Sequence, residues 1–212
     1  MKIRPASTRG IKQNSWIASR RTFSNNSYFN PKYMCWGNLR VINDDIQQPG
    51  NIVPNHEHKN FDILGYMVSG ELEHIDSLGN TSKAKPGQIQ HMWCGSSIWH
   101  TEASIGTIPA RYLQIWIVPK DEHRDTPPYY EVIDKPTEIY GPVAVDFKQD
   151  FKMSAGWLTG TTTLNIANRA YIYVVEGTVK GADFQLNEGD GAELDQGVFI
   201  ADFAAHIIVF EE

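Results

Sequence analysis

Turn signals built on glycine recur along this chain at intervals too short for long helices, and they divide it into strand-length pieces. Ser69-Gly70, Leu78-Gly79-Asn80, Lys85-Pro86-Gly87, Glu176-Gly177 and Asn187-Glu188-Gly189-Asp190-Gly191 are the clearest. Between them lie runs rich in β-branched and aromatic residues, at 39–43, 62–68, 110–118, 170–175 and 206–210. Several alternate. In 112–118, Leu113, Ile115 and Ile117 share one face of a strand. No long stretch carries a helical repeat with capping residues, apart from a short turn near the N-terminus. The pattern predicts an all-β protein.

The two halves are faint copies of one another. Tyr66-Met-Val-Ser-Gly70-Glu-Leu followed by Pro86-Gly87 matches Tyr173-Val-Val-Glu-Gly177-Thr-Val followed by Glu188-Gly189-Asp190-Gly191. A strand, a glycine turn, a second strand and a second glycine turn occur in each, which predicts a duplicated β-barrel. The polar, proline-bearing stretch 119–128 between them has linker composition. The expected domains are therefore 1–122 and 123–212.

Composition removes several function classes. With a net charge of −6 and 19 Lys and Arg, the chain is a poor electrostatic partner for nucleic acid. No run approaches the ~18 apolar residues of a membrane-spanning helix, and the start, Met1-Lys-Ile-Arg-Pro-Ala-Ser7, has no apolar core of a secretory signal. Cys35 and Cys94 are the only cysteines and lack Cys-x-x-Cys spacing. They read as two small buried hydrophobes in a reducing compartment, so a cytoplasmic location is expected and Cys94 is left out of any metal site.

Two short pairs carry the chemistry: His56-x-His58 and His100-x-Glu102. Each has period two, so on a strand both members of a pair face one side of the sheet. If both strands turn that side inward, three imidazoles and a carboxylate converge on one point and suit a borderline divalent metal with open positions for a ligand. Seven His in 212 residues would yield roughly 0.2 such His-x-His pairs by chance, and two solvated histidines are the ordinary alternative. Context favours the metal. His56 follows Gly50 and Pro54 into a β-like run, and His100 follows the Pro86-Gly87 turn in another. The second half has no such pair and is expected to be metal-free. His74 and His91 are read as ordinary partnered or exposed histidines. Phe61, Trp93, Trp99, Trp36 and Met92 are read mainly as core, with a substrate wall as the alternative.

The chain resembles the pirin-like bicupins, the group that includes bacterial quercetinase-type pirins. The resemblance rests on Arg9-Gly10, Phe23-Ser24, Asn30-Pro31, Met34, Leu39-Arg-Val-Ile-Asn-Asp-Asp45 and His56-Glu-His58. It continues through Gly70-Glu-Leu-Glu-His-Ile-Asp-Ser-Leu-Gly-Asn80, Pro86-Gly87 and Gly95-Ser-Ser-Ile-Trp-His-Thr-Glu102. It is dense over about the first 120 residues and in outline beyond. It implies two jelly-roll barrels packed together, with one metal held by His56, His58, His100 and Glu102. That metal is expected to be Fe(II), although Mn, Ni, Co, Cu and Zn suit the same donors. Two departures are Glu57, where a small residue or Pro is usual, and Asp62 in place of Glu. Neither touches the ligand set.

The resemblance implies a quercetin 2,3-dioxygenase-like activity, in which a flavonol or similar enol-bearing aromatic is opened with O2. Glu102, as the only carboxylate of the proposed set, is the expected acceptor of the substrate hydroxyl proton. The alternative is a metal-dependent, redox-sensing regulator that binds a protein partner without turnover. A sugar isomerase ranks third, because no cluster of Lys and Arg near the site suggests phosphate binding.

Overall fold

The computed structural model describes all 212 residues, and its regular elements are strands: there is no α-helix, only two single 3-10 turns at Ala6–Thr8 and Asp121–His123. The chain divides into two compact units. One comprises Gly10–Lys135 with Asp146–Gln149, and the other Met1–Arg9, Pro136–Val145 and Asp150–Glu212.

In chain order the strands begin β1 (Lys2–Arg4), β2 (Gly10–Gln13), β3 (Ile17–Arg21), β4 (Leu39–Gln47), β5 (Ile52–His58) and β6 (Asp62–Ser69). They continue β7 (Leu72–Asp76), β8 (Thr81–Ala84), β9 (Gln88–Trp93), β10 (Ile98–Ser104), β11 (Ala110–Ile117) and β12 (Tyr129–Asp134). The last are β13 (Gly141–Pro142), β14 (Lys152–Ile166), β15 (Ala170–Lys180), β16 (Gln185–Asn187), β17 (Gly191–Leu194) and β18 (Gly197–Glu211). In the first unit, a seven-stranded sheet β12-β9-β6-β11-β4-β3-β2 accompanies a four-stranded sheet β5-β10-β7-β8. The other unit is a seven-stranded sheet, β1-β17-β15-β18-β14-β13 with β16 beside β15. All pairings are antiparallel.

The expected duplication is present in the pairing. β6 lies between β9 and β11, and β15 lies between β17 and β18. The glycines that end the matching runs have a steric reason to be there. Gly70 has φ +69° and Gly177 φ +83°, and a Cβ would meet Pro109 O at 2.6 Å in the first and Ala204 O at 2.0 Å in the second. Only glycine combines that dihedral with that approach.

The alternation in β11 sorts its residues as expected. Leu113, Ile115 and Ile117 are buried on one face, while Tyr112, Gln114 and Trp116 face a cavity on the other. The second unit has an apolar core that includes Ile172, Val174, Val179, Phe203, Ile207 and Val209.

The boundary expected between 122 and 123 falls inside the first unit. The polar stretch after Pro119 does not hang free: Trp93 Nε1 donates to Thr126 Oγ1 at 3.1 Å, and β12 then pairs with β9 over six residues, Tyr129 opposite Trp93 through Asp134 opposite Gln88. The N-terminal nine residues belong with the other unit, where β1 pairs β17 and Ala6 N–H donates to Asp190 Oδ1 at 2.7 Å. Both assignments depend on pairings across large sequence separations, which local composition does not encode.

Candidate metal centre

His56 and His58 stand two apart on β5, and His100 lies directly opposite His56 on β10. Their donor nitrogens lie within 4.8 Å of one another. The ring centroids are 4.7 Å apart for His56–His58, 4.5 Å for His56–His100 and 5.1 Å for His58–His100. Like-charged rings this close would repel. His58 is held down to about 4 by burial and by His56, and His100 to about 2 by burial and by His56, His58 and His74. His58 and His100 are therefore neutral imidazoles, the form that binds a metal.

The tautomers follow from the hydrogen bonds. His56 Nδ1 donates to Pro54 O at 2.8 Å, because a carbonyl oxygen can only accept. His100 Nδ1 meets His74 Nδ1 at 3.3 Å, and His74 Nε2 meets Asp76 Oδ2 at 3.0 Å. The carboxylate can only accept, so His74 Nε2 carries the proton, its Nδ1 accepts, and His100 donates from Nδ1. His100 Nε2 is then a lone pair, buried and without a hydrogen-bond partner. An orphaned acceptor inside a cluster of three imidazoles is what a divalent cation would satisfy. The donor set fits a metal.

His74 is the residue that sequence reasoning undervalued. It lies buried behind His100, stacked on Tyr130 with centroids 3.9 Å apart and planes 6° apart. Burial raises the Asp76 carboxyl, but hydrogen bonds from Asn80, His74 and Leu78 outweigh it and hold the group below its ordinary range. The His74-x-Asp76 spacing on one strand was the available signal. His91, by contrast, is buried away from the cluster between Asp62 Oδ1 at 3.1 Å and Glu131 Oε1 at 2.9 Å.

Glu102 shares the inward face of β10 with His100, but the register shifts between them: His100 faces His56, whereas Glu102 faces Val53. Its buried carboxylate accepts a hydrogen bond from Gln114 Nε2 at 2.9 Å and is outside the group of three histidine donors that lie within reach of one another. Burial, reinforced by Asp45, pushes it up to about 7 against the pull of Gln114. It is poised to gain or lose a proton near neutrality. Cys94 is buried beside Ile63, Met92 and Ile98, and burial pushes its thiol up, whereas Cys35 is exposed, against the expectation that both are buried.

His56 and His58 open onto a cavity of about 500 Å³. Of the aromatic residues considered from sequence, Phe61 lines it, whereas Trp36, Trp93 and Met92 are buried core and Trp99 is exposed. Trp16, Tyr112 and Trp116 supply the rest of the aromatic wall, and Trp116 meets His58 edge-on at 4.8 Å. Three cations also reach the cavity: Lys12, Arg21 and Lys59. No cluster of Lys and Arg was expected near the site, but β2 and β3 bring Lys12 and Arg21 to it from far upstream. They do not form a phosphate clamp. Lys59 is paired with Asp125 at 2.9 Å, and Arg21 Nη1 is spent on Asn25 O and Ser27 Oγ.

No helix is long and apolar enough to cross a membrane. The family model described as Pirin matches residues 4–117. An Escherichia coli K12 protein named quercetin 2,3-dioxygenase is 31% identical over 99% of this chain and 97% of its own length. A Pseudomonas aeruginosa protein named putative quercetin 2,3-dioxygenase is 37% identical over 58% of this chain and 53% of its own. The crystal structure of bacterial pirin YhhW from Escherichia coli in complex with nickel(II) superimposes with a TM-score of 0.90 at 30% identity, covering 98% of this chain and 96% of that one. The bicupin fold extends further. An oxalate decarboxylase from Lactobacillus farciminis, 11% identical, has a TM-score of 0.65, covering 100% of this chain and 85% of that one. With a family model over more than half its length and a full-length relative at this identity, the chain belongs to the pirin family.

Proposed function

We propose that this pirin is a metal-dependent dioxygenase that opens a flavonol or a similar enol-bearing aromatic with O2. The observation that carries the reading is the buried, unpartnered Nε2 of His100 in a cluster of three imidazoles, two of which, His56 and His58, line an aromatic-walled cavity. The names of the relatives support the substrate class, and the nickel in the related pirin supports a divalent ion.

His56, His58 and His100 would hold the metal, with Glu102 as the fourth donor. Fe(II) is the ion proposed for O2 chemistry. When bound, it would act as a Lewis acid that makes an enol oxygen easier to deprotonate and would bring O2 within reach. The protein's own part is more specific. Trp16, Phe61 and Trp116 present flat apolar surface to a planar ligand and exclude water. Glu102, near 7 and restrained by Gln114, accepts the hydroxyl proton at a carboxylate oxygen without a large energetic mismatch at neutral pH. A cytoplasmic setting, in which Cys35 and Cys94 stay as the free thiols seen here, belongs to the same reading.

The test is anaerobic reconstitution with Fe(II), elemental analysis of the loaded protein, and O2 uptake on adding quercetin. Uptake that disappears in His100→Ala is expected. A protein that holds one metal per chain yet turns over no flavonol would overturn the dioxygenase reading.

A further inference from the structure

One face of β2, β3 and β4 forms a polar floor to the cavity beside the histidines. Pairing sets Lys12 opposite Ser19, Ser19 opposite Asp45 and Arg21 opposite Asn43, so these five side chains project from the same side of the sheet. All five line the cavity. Two of them have unmet hydrogen-bonding capacity. Asp45 is 5% exposed and its Oδ1 has no hydrogen-bond partner, while Ser19 is a hydrogen-bonding neighbour of the carboxyl group. Arg21 is 4% exposed and its Nε has none either, although Nη1 is bonded to Asn25 O and Ser27 Oγ.

A buried donor and a buried acceptor left open on adjacent strands cost stability unless a ligand meets both. Their chemistry narrows the ligand. An anion such as phosphate would be brought against the Asp45 carboxylate, and an ammonium group against Arg21 and Lys12, each in a poorly solvated site. A neutral hydroxyl avoids both conflicts, because one oxygen donates and accepts at once. We propose that Arg21 and Asp45 form a hydroxyl-recognising subsite in which Asp45 Oδ1 accepts the O–H of a ligand held at the metal centre and Arg21 Nε–H donates to its oxygen. The subsite selects ligands with a phenolic hydroxyl remote from the one that faces the histidines. It rests on the reading of this cavity as the substrate site.

The experiment compares quercetin, which has several remote hydroxyls, with 3-hydroxyflavone, which has none. Dissociation constants are read from quenching of tryptophan fluorescence in the nickel(II)-loaded protein at pH 8, since Trp16 and Trp116 line the cavity. The wild type should favour quercetin, and Asp45→Ala should weaken quercetin about 10- to 100-fold while changing 3-hydroxyflavone less than about threefold. Asp45→Asn, which keeps the volume and one acceptor, should restore part of the preference and serves if the alanine variant does not fold. Equal loss for both flavonols, or no loss for either, overturns the subsite and leaves the flavonol reading intact. If the wild type binds neither flavonol, the flavonol reading falls and the subsite is judged with catechol against 1,2-dimethoxybenzene. A preference for catechol that Asp45→Ala abolishes supports it, and equal binding overturns it.

Discussion

The relay from Asp76 through His74 to His100 determines which nitrogen of His100 is a lone pair. It works by hydrogen-bond complementarity rather than by charge: an acceptor-only carboxylate orients one imidazole, which orients the next. His74→Phe should preserve the stacking on Tyr130 and lose the relay. We expect metal affinity about 10- to 100-fold weaker with an unchanged fold, measured by competition with a chromogenic chelator. Unaltered affinity would mean that His100 is oriented by packing alone. Asp45 allows a separate test of proton linkage. Burial first, then Asp44, push it from 3.8 up to about 7 against Ser19, Arg21 and Lys12, and Glu102 is coupled to it from β10. The folded chain therefore holds a proton between about pH 4 and 7 that the unfolded chain has released, and this stabilising contribution is lost as pH rises through 7. Relative to Asp45→Asn, the wild type should lose about 2–4 kcal/mol between pH 4 and 8. Urea unfolding at each pH measures it, and a constant difference would show that the carboxyl titrates normally.

At the level of the element, β10 is the strand that builds the site, and its irregularity separates two functions. The register shift after His100 keeps that residue opposite His56 while carrying Glu102 toward Gln114 on the other sheet. Turns hold the hairpins to this geometry with different stringency. Gly70 and Gly79 both have positive φ, but a Cβ at Gly70 would strike Pro109 O at 2.6 Å, whereas at Gly79 nothing lies within 4 Å. Gly79→Ala should cost about 1 kcal/mol from the dihedral alone, and Gly70→Ala about 2–4 kcal/mol because the backbone must move as well. Thermal unfolding of the two variants would reveal the order, and equal losses would mean that the close approach relaxes freely.

Over the whole molecule, chain order and structural unit diverge. β12 completes the sheet of the first unit and supplies Glu131 to the buried His91, and Asp62 also accepts the Lys148 backbone N–H at 2.7 Å. A fragment of residues 10–149 should unfold cooperatively on heating, while one ending at Glu122 should not, because it exposes the β9 edge and strands His91 against one carboxylate. Differential scanning calorimetry separates them, and a sharp transition in the shorter fragment would place the boundary back at the polar stretch.

Much of this was legible in the residues. Glycine turns and alternating runs are local features, so the all-β fold, the duplicated hairpins and the shared face of Leu113, Ile115 and Ile117 were readable directly. His56 and His58 were also readable as a pair, since the pleat alone puts residues two apart on one side of a strand. What the tertiary structure decided was register and convergence: His100 opposite His56, Glu102 displaced onto Gln114, His74 behind His100, and Lys12, Arg21 and Asp45 beneath the same cavity. The physical reason is that a strand's side-chain period is intrinsic to its backbone, whereas its partner and register are set by packing and hydrogen bonding between segments dozens of residues apart.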